Sequence, residues 1–227
     1  MTKGRVPAEN VEERMRELRK QGLSLQKIAT TTGYSIGKVQ SVVKDVPMTM
    51  GLYQKKLPAG LVQGTIINLE TTGLDPPGND IITCGFLEHN IITVIQRIEA
   101  NPTEFYDIIS EKLSNLVHPI YAYDARFHEA FLLAKLHIPI ELTDIFEPWR
   151  DKARTKGLSY PSLDDLASVP REYFGEIVVP EREVRSLWAS YAKTQDKRKL
   201  SLIVRHCMED LRQALYVMTF MGESFSE

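Results

Sequence analysis

IINLETTGLDPPGNDIITCGFL, residues 66–87, sets two apolar runs on either side of a loop holding two prolines and two glycines. The first run begins near Leu61 and is apolar and rich in β-branched residues, the pattern of a buried strand. The proline and glycine pairs mark the loop as a sharp turn region. From Ile81 the chain reads as two further strands around a tight turn near His89-Asn90. Downstream, the pattern predicts a helix over about 102–117 and a short strand over 119–123. Helices are then expected over about 126–136, 162–167, 181–193 and 197–220.

Upstream the texture differs. Residues 1–60 carry eleven Lys/Arg against five Asp/Glu, a formal +6, whereas residues 61–227 carry seventeen against twenty-five, a formal −8. A basic head on an acidic body fits nucleic-acid contact by the head. Ala8 to Gln21 places Val11, Met15 and Leu18 at helical spacing and stops at Gly22. Ser24 can cap a short helix with Leu25, Ile28 and Ala29 on its apolar face, and after Gly33, Ser35 can cap a third helix to about Val46. GLSLQKIATTTGYSIGKVQSVV, residues 22–43, resembles the helix-turn-helix of resolvase-type and bacterial regulator families. That resemblance implies a third helix whose Val39 and Val42 or Val43 face the core. Lys38, Gln40, Ser41 and Lys44 would then meet a groove and its phosphates, DNA being favoured over RNA. A three-helix bundle that binds a protein partner is the alternative. Residues 47–60, with two prolines, two glycines and Lys55-Lys56, read as a linker. The expected division is thus a helix-turn-helix domain at 1–46, a linker at 47–60 and a main domain at 61–227.

Three stretches of the main domain bear on its chemistry. The segment at 66–87 resembles the first motif of the DnaQ-like (DEDD) 3′–5′ exonucleases, where a strand delivers Asp-x-Glu followed by Thr-x-Gly. AYDARFHEAFLLAKL, residues 122–136, resembles the second, Asn-x-x-Phe-Asp at a helix start. KLSLIVRHCMEDLRQALYVM, residues 199–218, resembles the third, an Asp on a helix preceded by His or Tyr. The stretch from LDDLA through YFGE and LWASY to Asp210 is similar to the YprB-like branch of the same superfamily. The resemblance spans about 160 residues. It implies an α/β, ribonuclease-H-like domain, a mixed central sheet flanked by helices, and the strand and helix order above fits that fold.

Family chemistry uses four carboxylates to hold two divalent ions, which activate a water and stabilise the leaving oxygen of a phosphodiester. This chain departs from that set. Asn68 stands where the family has the first Asp, with Glu70 kept. His128 stands at the second-motif Asp, and the Asn before it has become Asp124; Asp210 is kept. Glu70 and Asp210 supply −2 against +4 for two magnesium ions. Asp124 adds charge only if its backbone turns the side chain inward, an Asn68 oxygen ligates without neutralising, and an imidazole at His128 suits zinc, manganese or nickel better than magnesium. Asn68, Glu70, Asp124, His128 and Asp210 are therefore the candidate ligands of a weak or single divalent ion, Mg or Mn. His206, four residues before Asp210, shares its helix face and is a candidate general base or a helix-surface histidine. Thr71, Thr72 and Leu74 match the loop that lies against the terminal nucleotide in the family.

The remaining titratable groups carry less. Asp144 and Asp164-Asp165 read as groups that cap or solvate helices, Glu129 as a solvent-facing group, and His89, His118 and His137 form no ligand spacing. Trp149, Trp188, Tyr191 and Phe174 read as core. Two cysteines exclude a disulfide framework, the N-terminus is polar, and no apolar run reaches the ~18 residues of a membrane span, so a cytoplasmic protein is expected. Three functions follow: a nucleic-acid-binding protein with a degenerate exonuclease domain, a nuclease with altered metal preference, or a protein-interaction adaptor.

Overall fold

A computed structural model describes residues 8–57, 62–99, 101–157, 163 and 181–221. The chain opens with three helices, α1 (Ala8–Lys20), α2 (Leu25–Thr32) and α3 (Ile36–Val43). Their caps are the ones the sequence suggests. Ser24 Oγ accepts from Lys27 N and Ser35 Oγ from Lys38 N, while Gly33 closes α2 at φ 75°. Met15, Leu18, Ile28, Val39 and Val43 close a small core of their own.

Six strands follow in one sheet: β1 (Met50–Lys56), β2 (Val62–Thr71), β3 (Ile81–His89), β4 (Ile91–Arg97), β5 (Ile120–Ala122) and β6 (Thr143–Asp144). They lie in the order β1-β4-β3-β2-β5-β6. β2, β3 and β4 form an antiparallel meander, and β5 and β6 join parallel to β2. Helices α4 (Thr103–Leu113), α5 (Ala125–Leu136), α6 (Glu147–Lys156), α7 (Glu181–Thr194) and α8 (Lys197–Tyr216) complete the described elements, with a π-helical turn at Val217–Met221. The expected mixed sheet flanked by helices is what the structure contains. The helix expected over 162–167 lies, but for residue 163, outside the described residues.

One expectation is overturned. The stretch 47–60, read as a linker, contains β1, which pairs antiparallel with β4 from Met50↔Arg97 to Lys56↔Ile91. Its sequence, MGLYQKK, has no clean alternation because it lies at the sheet edge, buried at Met50 and Gly51 and exposed from Gln54 onward. The three-helix unit is seated on this strand. Thr49 donates from both N and Oγ1 to the Lys20 carbonyl, and Gly22, at φ 82°, lies so close that a Cβ there would stand 2.2 Å from the Met50 carbonyl oxygen. Lys27 Nζ donates to Gln54 Oε1 at 3.1 Å.

The sheet has two faces and a core on each. Ile67, Leu69 and Phe86 pack under α4 and α5 with Phe105, Ile109 and Phe131. Ile66, Leu87, Ile92 and Val94 pack against α8 through Val204, Cys207 and Leu211. Among the described residues no helix is long and apolar enough to cross a membrane.

Candidate active-site pocket

Alternation along β2 builds one wall. Ile67 and Leu69 belong to the α4/α5 core and Ile66 to the α8 core, so Asn68 and Glu70, two and four residues on from Ile66, turn toward α8. On α8, Cys207 lies in the apolar stripe, and His206 and Asp210, four apart, flank it. A glycine permits the approach: Gly85, opposite Asn68 across the β2–β3 ladder, would with a Cβ meet Cys207 Sγ at 2.5 Å and Leu211 Cδ1 at 2.8 Å. Removing the side chain from that one strand position is what lets α8 lay its polar residues against the end of β2.

The groups that meet there are hydrogen-bonded. Asn68 Nδ2 donates to Glu70 Oε1 at 3.0 Å and to Asp210 Oδ2 at 3.2 Å, clasping the two carboxylates. With an anion on each side, the amide nitrogen is the end that fits; an oxygen there would face two negative charges. His206 Nε2 stands 3.5 Å from Asp210 Oδ2 and 3.9 Å from Glu70 Oε2. Glu70, His206 and Asp210 each offer a ligand atom, all within 4.8 Å of one another. His206 is 6% exposed, so it is a buried member of this cluster and not a helix-surface histidine. The Cys207 thiol beneath is pushed up by burial and then by the Glu70 and Asp210 charges, which keeps it neutral.

His128 reaches the same cavity from α5. Its Nδ1 hydrogen-bonds the Asp124 carbonyl at 3.0 Å, placing the ring proton on that nitrogen. Nε2 is left buried with no hydrogen-bond partner among the described residues. Burial lowers its pKa, opposed by the Asp124 carbonyl. Asp124 has left-handed backbone, φ 56° and ψ 65°, and its exposed carboxylate lies 3.5 Å from Arg150 Nη2, outside the Glu70/His206/Asp210 group. The cavity, about 230 Å³, is lined by Asn68, Glu70, Asp124, His128, His206 and Asp210, with Leu74, Tyr123 and Phe127 beside them.

The loop after β2 is tied to itself. Thr71 Oγ1 donates to the Gly73 carbonyl, and Thr72 Oγ1 donates to Asn79 Oδ1 and accepts from Asp80 N. The two threonine hydroxyls thus shape the loop, and Leu74, 64% exposed, is the side chain it presents at the cavity rim. Sequence reasoning missed the anchor of this loop. Asp80 is held by Arg97, Lys135 and the Tyr106 hydroxyl, whose own pKa is pushed up to about 12 by burial and by Asp80. The visible signal was an aspartate directly ahead of a strand and an arginine ending another. Glu129, expected to face solvent, accepts from Leu142 N, and Asp144 accepts from Phe146 N just ahead of α6 and pairs with Arg150 at 2.9 Å. Trp188 and Tyr191 are core, as expected; Phe174, Asp164 and Asp165 lie outside the described residues.

On α3, Lys38, Gln40, Ser41 and Lys44 are exposed. Lys38 is engaged by Glu12 of α1, and Ser41 Oγ donates to the Lys38 carbonyl. These four stand on the head, apart from the cavity.

No curated protein matches this sequence. Among solved structures the chain is similar to one titled "apo form of the nuclease", at a TM-score of 0.43 and 17% identity, over 71% of this chain and 75% of that one. A family model described as the RNase_H superfamily matches residues 65–221, a span that opens in β2, closes past α8 and takes in every cavity residue named above. Matched over more than half its length, the chain belongs to the RNase_H superfamily.

Proposed function

We propose that this protein binds nucleic acid and that its nuclease-type pocket, of the DnaQ-like kind with YprB-like features, does not perform two-magnesium cleavage. One observation carries this reading: the Asn68 amide clasps Glu70 and Asp210 where the family pattern has a carboxylate. A pair of dications does not fit that arrangement. The two carboxylates already share an N–H donor, His128 offers a neutral nitrogen in place of an anion, and the Asp124 carboxylate lies beside Arg150. Two charges of −2 in all would face +4. Without the metals the pocket keeps what binding needs: an exposed Leu74 for a base to lie against and buried polar groups at its floor. The helix-turn-helix reading of α1–α3 supplies a second contact, with Gln40, Ser41 and Lys44 toward a groove and its phosphates.

The test pairs two measurements. A labelled oligonucleotide, single- or double-stranded, should bind in chelator, with affinity falling as salt rises. The same oligonucleotide should survive incubation in magnesium. Rapid magnesium-dependent loss of 3′ nucleotides would overturn the reading. A second reading, a nuclease with altered metal preference, is favoured by the Glu70/His206/Asp210 cluster. It expects cleavage in manganese or zinc that Glu70→Gln or Asp210→Asn abolishes.

A further inference from the structure

We propose that Glu70, Asp210 and His206 form a site for one borderline divalent ion, zinc or manganese rather than magnesium, gated by a turn of the Asn68 side-chain amide. The inference rests on the reading that this pocket departs from the two-magnesium set, and it names the ion the departed set would take. Tetrahedral zinc bonds of about 2.0–2.2 Å place neighbouring donors roughly 3.3–3.6 Å apart. His206 Nε2 already stands 3.5 Å from Asp210 Oδ2 and 3.9 Å from Glu70 Oε2, and the three ligand atoms lie within 4.8 Å of one another, so shifts of about 1 Å close the set. One imidazole nitrogen with carboxylate oxygens is a donor set that zinc and manganese accept and magnesium avoids. Two carboxylates also neutralise one dication.

Asn68 supplies the gate. Its Nδ2 lies 3.2 Å from Asp210 Oδ2, an oxygen of the proposed set, and 3.0 Å from Glu70 Oε1, the other oxygen of the second carboxylate, and its N–H groups repel a cation. Rotation of the terminal amide by half a turn replaces them with Oδ1, a neutral oxygen ligand, at little torsional cost. In the ion-free state the amide donates to the carboxylates; in the loaded state the same group accepts from them nothing and coordinates.

A second, independent feature points to a ligand in this cavity. His128 is 4% exposed and lines it, and its Nε2 is an acceptor with no partner among the described residues, because the ring proton is committed through Nδ1 to the Asp124 carbonyl. A buried bare acceptor needs a donor. Water carried in on an ion held by the opposite wall provides one.

The test is calorimetric titration and thermal melting of the tag-free, chelator-stripped full chain with zinc, manganese or magnesium chloride alone. One equivalent of zinc or manganese should bind and raise the melting temperature, with magnesium at least tenfold weaker. His206→Gln should weaken zinc at least tenfold, and Glu70→Gln provides a second variant if that chain does not fold. Asn68→Asp should tighten binding and admit magnesium, whereas His89→Gln and His118→Gln should change nothing. Absence of a zinc or manganese response in folded wild type would overturn the proposal. So would unchanged zinc binding in folded His206→Gln. Oligonucleotide binding in chelator reads the nucleic-acid function separately, so either reading fails without the other.

Discussion

Gly85→Ala tests whether the close seat of α8 on the sheet is what assembles the pocket. The new Cβ would stand 2.5 Å from Cys207 Sγ and 2.8 Å from Leu211 Cδ1. Ordinary contact begins at 3.4 Å, so the sulfur side must retreat by about 0.9 Å. A helical cysteine has few rotamers to retreat into, and α8 is wedged between β2, β3 and α7. Overpacking of this kind costs about 1–3 kcal/mol. Urea unfolding followed by circular dichroism should show that loss in the midpoint with an unchanged slope. Cys207→Ala alone opens a small void and is also destabilising. Combined with Gly85→Ala, the new methyl occupies the space the sulfur left, so the double variant should be more stable than the sum of the singles predicts, by about 1 kcal/mol or more. Gly85→Ala as stable as wild type, or strictly additive singles, would refute the close-approach argument.

Other perturbations read other parts of the molecule. In chelator, Asn68→Ala removes two hydrogen bonds to carboxylates and should destabilise by about 1.5–3 kcal/mol in urea unfolding; no change would mean the clasp is not formed. Burial holds the His128 pKa below its ordinary 6.5, so above that pH the residue adds no pH dependence. Below it the unfolded chain takes up a proton the folded chain refuses, and stability falls by at most about 1.4 kcal/mol per pH unit until the folded value is passed. His128→Gln should remove that component, seen as a stability difference between the two proteins that changes between pH 7 and pH 5; a constant difference would count against it. Asp80→Ala strips the carboxylate from Arg97, whose side chain is 6% exposed, and should cost about 1–3 kcal/mol by denaturant titration. Ser24→Ala and Ser35→Ala should each cost about 1 kcal/mol, read as earlier loss of helical signal on heating.

Much of the fold was legible where local pattern and tertiary role agree. The β-branched runs of β2 and β3 are apolar on both sides because both faces of the sheet are covered, and they were read as strands for that reason. The caps at Ser24 and Ser35 announced α2 and α3 without help from packing. β1 was missed because only its first residues are buried and its pairing with β4 is decided across some forty residues. α6, EPWRDKARTK, has too few apolar residues to show a period, although Pro148 at its first turn and Gly157 in left-handed conformation at its end are the punctuation of a helix. In the pocket, the i, i+4 spacing of His206 and Asp210 was visible, but the burial of His206 was not, since nothing local states which side of α8 the sheet covers. The direction of the Asn68 amide was hidden too. It depends on two carboxylates, one of them 142 residues away.

The seat of the head on β1 has a consequence for how this protein can be cut or recombined. Because Thr49 N and Oγ1 both donate to the Lys20 carbonyl and Gly22 nests against the Met50 carbonyl, the joint between the helical unit and the sheet is made largely of backbone. A truncation at residue 47 would strip the cover from the backbone of an edge strand at Met50, whose side chain belongs to the sheet's own core. The workable breakpoint for exchanging the head lies after β1, so any graft must carry that strand with it, as a plug carries its socket.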